Sequence, residues 1–335
     1  MSTLDHLRGA PPPRARRSVA VLLALTVLLG AACRSGGDAP PTASVGDAAR
    51  AASQRKAPLP APPRTEVVGA FWNGRVVVLG GLREDGLPSA QVDLYDAATD
   101  SWTSGPPLPV PLHHAGAGVL GDRIYVVGGY AGKEWTPVAD VRSLGPGEQQ
   151  WRPEPSLTGP RGALAVASLD DALVAVGGVG SGDPVHTEIL EQGAAGWRPG
   201  PGLGTPREHL AAAGTGGRVY AIAGRVGTLE SNRDSVESLA IDETRWRTEP
   251  KLNHSRGGTG AAAPGGTPCV AGGEEPDGTV APVECLEGGT WEIVAELEVP
   301  RHGVAVVAEA NRLHVIGGGA RPGLFVSDAH EVFEL

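Results

Sequence analysis

The chain is poor in several things that would decide its class. Among 335 residues there is one Met, and aromatic side chains make up only 4%. Nowhere do strong helix formers recur with a long 3.6-residue apolar period, which excludes a helical bundle. Three Cys occur, with no Cys-x-x-Cys and no clustered Cys/His spacing, so neither a dithiol redox centre nor a metal site is expected. No cofactor-binding motif is present. The net charge is −10 and no Lys/Arg run follows the amino-terminal segment, so nucleic acid is not an expected partner. Long apolar runs are also missing, apart from residues 18–32. What abounds is Gly (50) and Pro (30), alongside 41% hydrophobic residues. That hydrophobic share is too high for disorder, so the turn formers point to many short strands in an all-β fold.

The run at 18–32, SVAVLLALTVLLGAA, follows Arg8, Arg14, Arg16 and Arg17. It is shorter than the roughly 20 residues of a membrane-spanning helix and ends in small residues, as a secretory signal does. Residues 1–32 are therefore expected to be removed on export, taking four Arg and Asp5 with them and moving the net charge from −10 to −13. The sequence Leu29-Gly30-Ala31-Ala32-Cys33 resembles the lipobox of bacterial lipoproteins, in which the Cys is lipidated. Gly30 departs from the branched aliphatic of that pattern, and ordinary cleavage after Ala32 is the alternative. Residues 33–57, rich in Ala, Gly, Ser, Pro and Asp, read as a flexible tether. The expected location is outside the cytoplasm, anchored at the cell envelope through lipid or released, with membrane contact only through that anchor.

The rest of the chain repeats. VVVLGG (76–81), IYVVGG (124–129), LVAVGG (173–178), VYAIAG (219–224), PCVAGG (268–273) and LHVIGG (313–318) end in Gly at intervals of 48, 49, 46, 49 and 45 residues. Trp102, Trp151, Trp197, Trp246 and Trp291 follow about 20 residues later. Arg64, Arg161, Arg207, Arg256 and Arg301 each stand 17 residues before the last Gly of their pair, and Leu112 takes that place in the second repeat.

These markers resemble the kelch family, over residues 58–335. WD40 repeats have a similar period but would show Trp-Asp at strand ends, and none occurs. The resemblance implies an all-β, six-bladed β-propeller of four-stranded antiparallel blades. The last repeat reaches only its third strand, at residues 331–335, and Pro58-Leu59-Pro60 matches the end of the missing fourth. The amino-terminal strand is therefore expected to close the ring and remove exposed sheet edges. No Trp occurs near Ser53 to anchor it.

Most of the distinctive residues serve packing in this reading. Apolar strands lie between blades, Gly pairs turn near the axis and Trp fills the wedge between blades. The recurrent Arg would either cap carbonyls and pair with an acid of its own blade, the favoured role, or gather around the axis to hold carboxylates or phosphates. Cys269 and Cys285, on adjacent strands of the fifth repeat, suit a disulfide after export, with two buried thiols as the alternative. A copper radical oxidase of kelch type is rejected, because Tyr95, Tyr125, Tyr130 and Tyr220 all occupy ordinary repeat positions.

Function is sought where the repeats differ. In kelch propellers the loops entering and leaving the inner strands line a ligand mouth, which nominates His113, Tyr130, Glu208, Arg225, Glu274 and His302, with His114 and His209 beside them. Solvated loop residues are the ordinary alternative. The expected function is a monomeric binding module for a protein, peptide or glycan. The alternative is an enzyme of the sialic-acid mutarotase type, favoured if Glu208 or Glu274 meets an Arg and a His in one pocket. A purely structural surface role is the third option.

Overall fold

The computed structural model describes residues 50–180 and 187–335. The expected signal segment, Cys33 and most of the expected tether lie outside the described residues.

The described residues form six four-stranded antiparallel sheets with strands in chain order. The first sheet is Val68–Trp72, Arg75–Leu79, Val92–Asp96 and Ser101–Ser104. The sixth is Ala305–Glu309, Arg312–Ile316 and His330–Glu334, with Gln54–Arg55 as its outer strand, where Gln54 pairs with Val332 and Arg55 with Glu331. The ordered region thus begins before Pro58. Ala51 N donates to Val294 O at 2.8 Å and the Ser53 hydroxyl to Glu298 at 2.8 Å, so residues 51–57 are fastened rather than free as a tether. Arg55, 2.7 Å from Glu298, adds an ion pair. Polar ties hold this strand where the other repeats use Trp.

The second strands are nearly saturated with β-branched and aliphatic residues, as strands covered on both faces must be. Val76 to Leu79, Ile124 to Val127 and Ala172 to Val176 are almost without exception buried. The Trp at the repeat position has the same task in each of the first five repeats. Trp151, Trp197, Trp246 and Trp291 donate from Nε1 to the carbonyls of Pro106, Pro155, Pro201 and Pro250 in the preceding repeat, at 2.9–3.0 Å. Trp102 donates to Ala57 O at 2.9 Å, so the amino-terminal segment supplies for the first repeat what a Pro supplies for the others. Between the sixth and first sheets, Leu59, Val76, Val78, Tyr95, Ala305, Val307 and Ile316 form one cluster. The first strands contact one another in succession, and the sixth contacts the first.

The recurrent arginines are buried, between 0% and 3% exposed. Each pairs with an acid on the third strand of its own sheet: Arg64 with Asp93, Arg161 with Glu188, Arg207 with Glu237, Arg256 with Glu284 and Arg301 with Glu331. Arg161, Arg207, Arg256 and Arg301 also donate to a carbonyl of the Gly pair or its equivalent, for example Arg301 Nε to Gly317 O at 2.8 Å. None is open to a ligand. In the second sheet, Leu112 replaces the Arg and Arg142 stands at the strand position of the acid. Where one half of the pair is lost, the other has gone too. Cys269 and Cys285 face each other in register and are joined by a disulfide.

Candidate functional site

Two residues beyond each recurrent Arg, or beyond Leu112, the chain turns into its first strand. Those six positions are Glu66, His114, Ala163, His209, Gly258 and Gly303, all with φ between +51° and +64°. Their backbones are joined in sequence. His114 N donates to Glu66 O (3.3 Å), Ala163 N to His114 O (2.9 Å), His209 N to Ala163 O (2.9 Å), Gly258 N to His209 O (2.9 Å) and Gly303 N to Gly258 O (2.7 Å). Val67 N returns the chain to Gly303 O at 3.2 Å. Below this ring lies a cavity of about 110 Å³, lined by residues such as Gly69, Gly116, Ala165, Ala211 and Gly260 from the inner strands.

A left-handed backbone favours Gly and costs other residues about 1 kcal/mol or more. Glu66, His114 and His209 nevertheless stand there, which directs attention to their side chains. They belong to a circuit in which bases and acids alternate. His114 Nε2 lies 3.2 Å from Glu66 Oε2, and His302 Nδ1 lies 3.3 Å from Glu66 Oε1 and 3.7 Å from Glu274 Oε2. Arg225 Nη1 donates to Glu274 Oε1 at 2.7 Å, and Arg225 Nε is 3.5 Å from Glu208 Oε1. Glu208 in turn contacts His209, whose ring packs edge-to-face on that of His114 with centroids 4.9 Å apart. The circuit therefore runs His114, Glu66, His302, Glu274, Arg225, Glu208, His209 and back to His114.

The six sequence candidates fall into this neighbourhood, and four of them are members of the circuit. His113 and Tyr130 sit beside it, their rings 5.5 Å apart and each packed against His114. They are not the solvated loop residues that isolated His and Glu usually are. Glu208, Glu274, Arg225, His113 and His302 are at most 9% exposed. Glycines from the next repeat make room for two of them. A Cβ on Gly162 would lie 2.4 Å from the Tyr130 ring, and one on Gly257 would lie 2.8 Å from Asn232 Oδ1 and 3.2 Å from Arg225 Nη1. Glu66 was not among the candidates. Its signal was faint: a residue two beyond the Arg, at a position that is Gly in two repeats of six.

Burial and charge divide the titrating groups. Burial lowers His113 to about 3, helped by His114, and lowers His114 and, further, His209. Burial opposes charge on His302 too, but the hydrogen bond and charge of Glu66, with Glu274, outweigh it and raise its pKa. For Glu66 the penalty of burial is overcome by the facing His114 and His302, which hold it well below the usual carboxylate range. The circuit thus joins a His302 that keeps its proton more tightly than free His to imidazoles that burial makes slow to take one. Such a set can donate, accept and pass protons over a few ångströms. His113 Nε2, Thr65 Oγ1 and Asn232 Oδ1 are buried beside it without a hydrogen-bond partner among the described residues. No group of His, Cys, Asp or Glu with metal-holding geometry occurs among the described residues.

The Kelch motif model matches residues 63–109 and 111–158, the first two repeats. No curated protein matches the sequence. Among solved structures, the one described as "Structure of YjhT" superposes with a TM-score of 0.69 at 16% identity, over 82% of this chain and 95% of that one. Together with the six antiparallel sheets, these likenesses identify an all-β protein with a β-propeller type of fold, in which the first two repeats match the Kelch motif.

Proposed function

We propose that the chain is a six-bladed kelch propeller, closed where Gln54–Arg55 joins the sixth sheet, and that its axial mouth binds a small hydroxyl-rich ligand of the glycan class. The observation that carries this reading is the circuit of alternating acids and bases at one end of the inner strands, flanked by buried polar atoms in need of partners. A hydroxyl both donates and accepts, so a polyol suits a ring that offers both. A flat protein-binding face would not require buried, mutually oriented carboxylates and imidazoles. The protein would work outside the cytoplasm as a monomer, exported by residues 1–32 and held through Cys33 or released, without nucleic acid or cofactor. Calorimetric titration of mono- and disaccharides and of short peptides tests it. Saccharide binding that is lost in Glu274→Gln, measured at a temperature where circular dichroism shows the variant folded, is expected. Binding of peptides alone would overturn it.

A second reading, proton-transfer catalysis of the mutarotase type, is favoured by one contact. His302 lies between Glu66 and Glu274 at 3.3 and 3.7 Å, the arrangement of a proton donor poised by two carboxylates. Anomer exchange followed by NMR on freshly dissolved sugars, N-acetylneuraminate included, would show acceleration that Glu66→Gln abolishes. Rates equal to the buffer alone would leave binding as the whole function.

A further inference from the structure

The mouth has a charged centre and an aromatic side, and together they narrow the ligand. The centre holds three carboxylates, Glu66, Glu208 and Glu274, against Arg225 and His302. Arg225 is engaged by Glu274 at 2.7 Å and faces Glu208 at 3.5 Å, while His302 is shared between Glu66 and Glu274. The remaining imidazoles of the circuit are kept neutral by burial. Arg225 and His302 are therefore both already engaged, and the acids outnumber them three to two. An incoming carboxylate would have to displace an existing ion pair and would face the others across a buried site. A hydroxyl or an ammonium group meets no such opposition.

The aromatic side is Trp135. Five of the seven Trp occupy the repeat position, and Trp72 and Trp135 do not. Trp72 is buried and donates to Asp122 O at 2.7 Å. Trp135 is 41% exposed, on the loop after the second Gly pair. Its ring packs on His113 with centroids 4.7 Å apart and on His114 at 5.9 Å, and Tyr130 supports the same two imidazoles. His114 thus lies between the open indole and Glu66. An exposed indole next to a carboxylate cluster suits an apolar sugar face on one side and a cation on the other.

We propose that the mouth takes a non-acidic saccharide, an amino sugar best, with its ring stacked on Trp135 and its ammonium or hydroxyl group turned to the carboxylates of the circuit. This rests on the glycan-binding reading above and sharpens it into a charge preference opposite to that of a site built for carboxylated sugars. The test is calorimetry on the full chain at pH 7 with glucosamine and its β-1,4 dimer, glucose and cellobiose, and glucuronate and N-acetylneuraminate, with tryptophan fluorescence in parallel. The amino sugars are expected to bind about tenfold more tightly than the neutral ones, and the acids most weakly. Trp135→Ala, on an exposed loop, should weaken neutral and amino sugars alike by about tenfold with an unchanged melting temperature. Glu66→Gln should bring the amino sugar towards the neutral one. An acidic sugar binding more tightly than its neutral parent overturns this inference and leaves glycan binding standing. Binding indifferent to Trp135→Ala overturns the stacking. Silence across all six sugars overturns both this inference and the reading beneath it.

Discussion

The sharpest test of how the repeats are held is the pair Arg301–Glu331. Arg301 is fully buried and Glu331 nearly so. The guanidinium donates to Glu331 Oε1 at 2.6 Å, to Gly317 O at 2.8 Å, to Val299 O at 2.8 Å and to Val315 O at 3.1 Å. Glu331 also accepts from Glu298 N at 2.7 Å, tying the fifth repeat to the sixth. Glu331→Ala strands a buried cation and is expected to cost about 3–5 kcal/mol. For a folded region of this size that corresponds to a fall of roughly 5–9 °C in melting temperature. Replacing both partners by apolar residues of similar volume should cost far less, within about 2 kcal/mol of the parent. The second sheet, with Leu112 in place of the Arg and Arg142 turned to Asp140 instead, shows that the fold does without the buried pair. Arg301→Leu alone should leave a buried carboxylate that prefers its proton, so this variant loses less stability relative to the parent at pH 5 than at pH 8. Thermal and urea melts followed by circular dichroism measure all three. A cost below about 1 kcal/mol for Glu331→Ala, or a double variant as unstable as the single one, would refute the argument.

Further outcomes follow from other parts of the structure. Burial holds His330 at about 3, with His314 adding to the effect, and His113 likewise at about 3. A His whose folded pKa is depressed binds its proton in the unfolded chain first. Stability should therefore fall as pH drops below about 6.5, by roughly 1.4 kcal/mol per pH unit for each. His302, raised, contributes fully below that pH and loses its contribution only as pH rises through its folded pKa. Urea melts at pH 5 and 6 should show His330→Gln reducing the slope by about one proton; an unchanged slope would count against it. Gly258→Ala and Gly303→Ala make the same change on the same left-handed backbone. A Cβ at 258 meets nothing closer than 3.5 Å, whereas one at 303 falls 2.5 Å from Thr65 Oγ1 and 2.7 Å from Glu66 N. The first should cost about 1 kcal/mol and the second at least twice that, with loss of ligand binding through Glu66. Equal melting temperatures would contradict the packing. Trp102→Phe removes the bond to Ala57 O and should cost about 1–2 kcal/mol, read from the same melts.

The repeat was legible because its markers bind neighbours at constant spacing. Trp to Pro carbonyl is such a link, and so is Arg to the carbonyl at the Gly pair, 16 residues on in Arg161, Arg207, Arg256 and Arg301. The acid that completes each Arg was not legible as a marker. It stands 27 to 30 residues after its Arg, because the loop between second and third strands varies in length, and one of the five is Asp. The short strand before Pro58 was hidden for a related reason. Ala, Ser and Gln at 51–54 look like a linker in composition, and only their pairing with the far end of the chain makes them a strand.

The candidate site was half legible, and the missing half has a physical explanation. A repeat that turns about an axis places equivalent positions on a ring, so a side chain at one position is constrained by the residue one repeat away rather than by its sequence neighbours. Tyr130 needs Gly162 and Arg225 needs Gly257, each pair lying 32 residues apart, and Glu66 needs Gly303 across the whole chain. Reading each repeat alone, these glycines look like ordinary turn residues. Taken in pairs, they mark where a large polar side chain crosses into the next repeat. The two glycines of the ring, Gly258 and Gly303, lie together beside His302 and Glu274, while Glu66, His114 and His209 fill other positions. The asymmetry of the ring is thus built by setting large polar side chains at three positions of one turn geometry and Ala or Gly at the other three. That is why the chemistry resides at positions the fold itself would rather give to glycine.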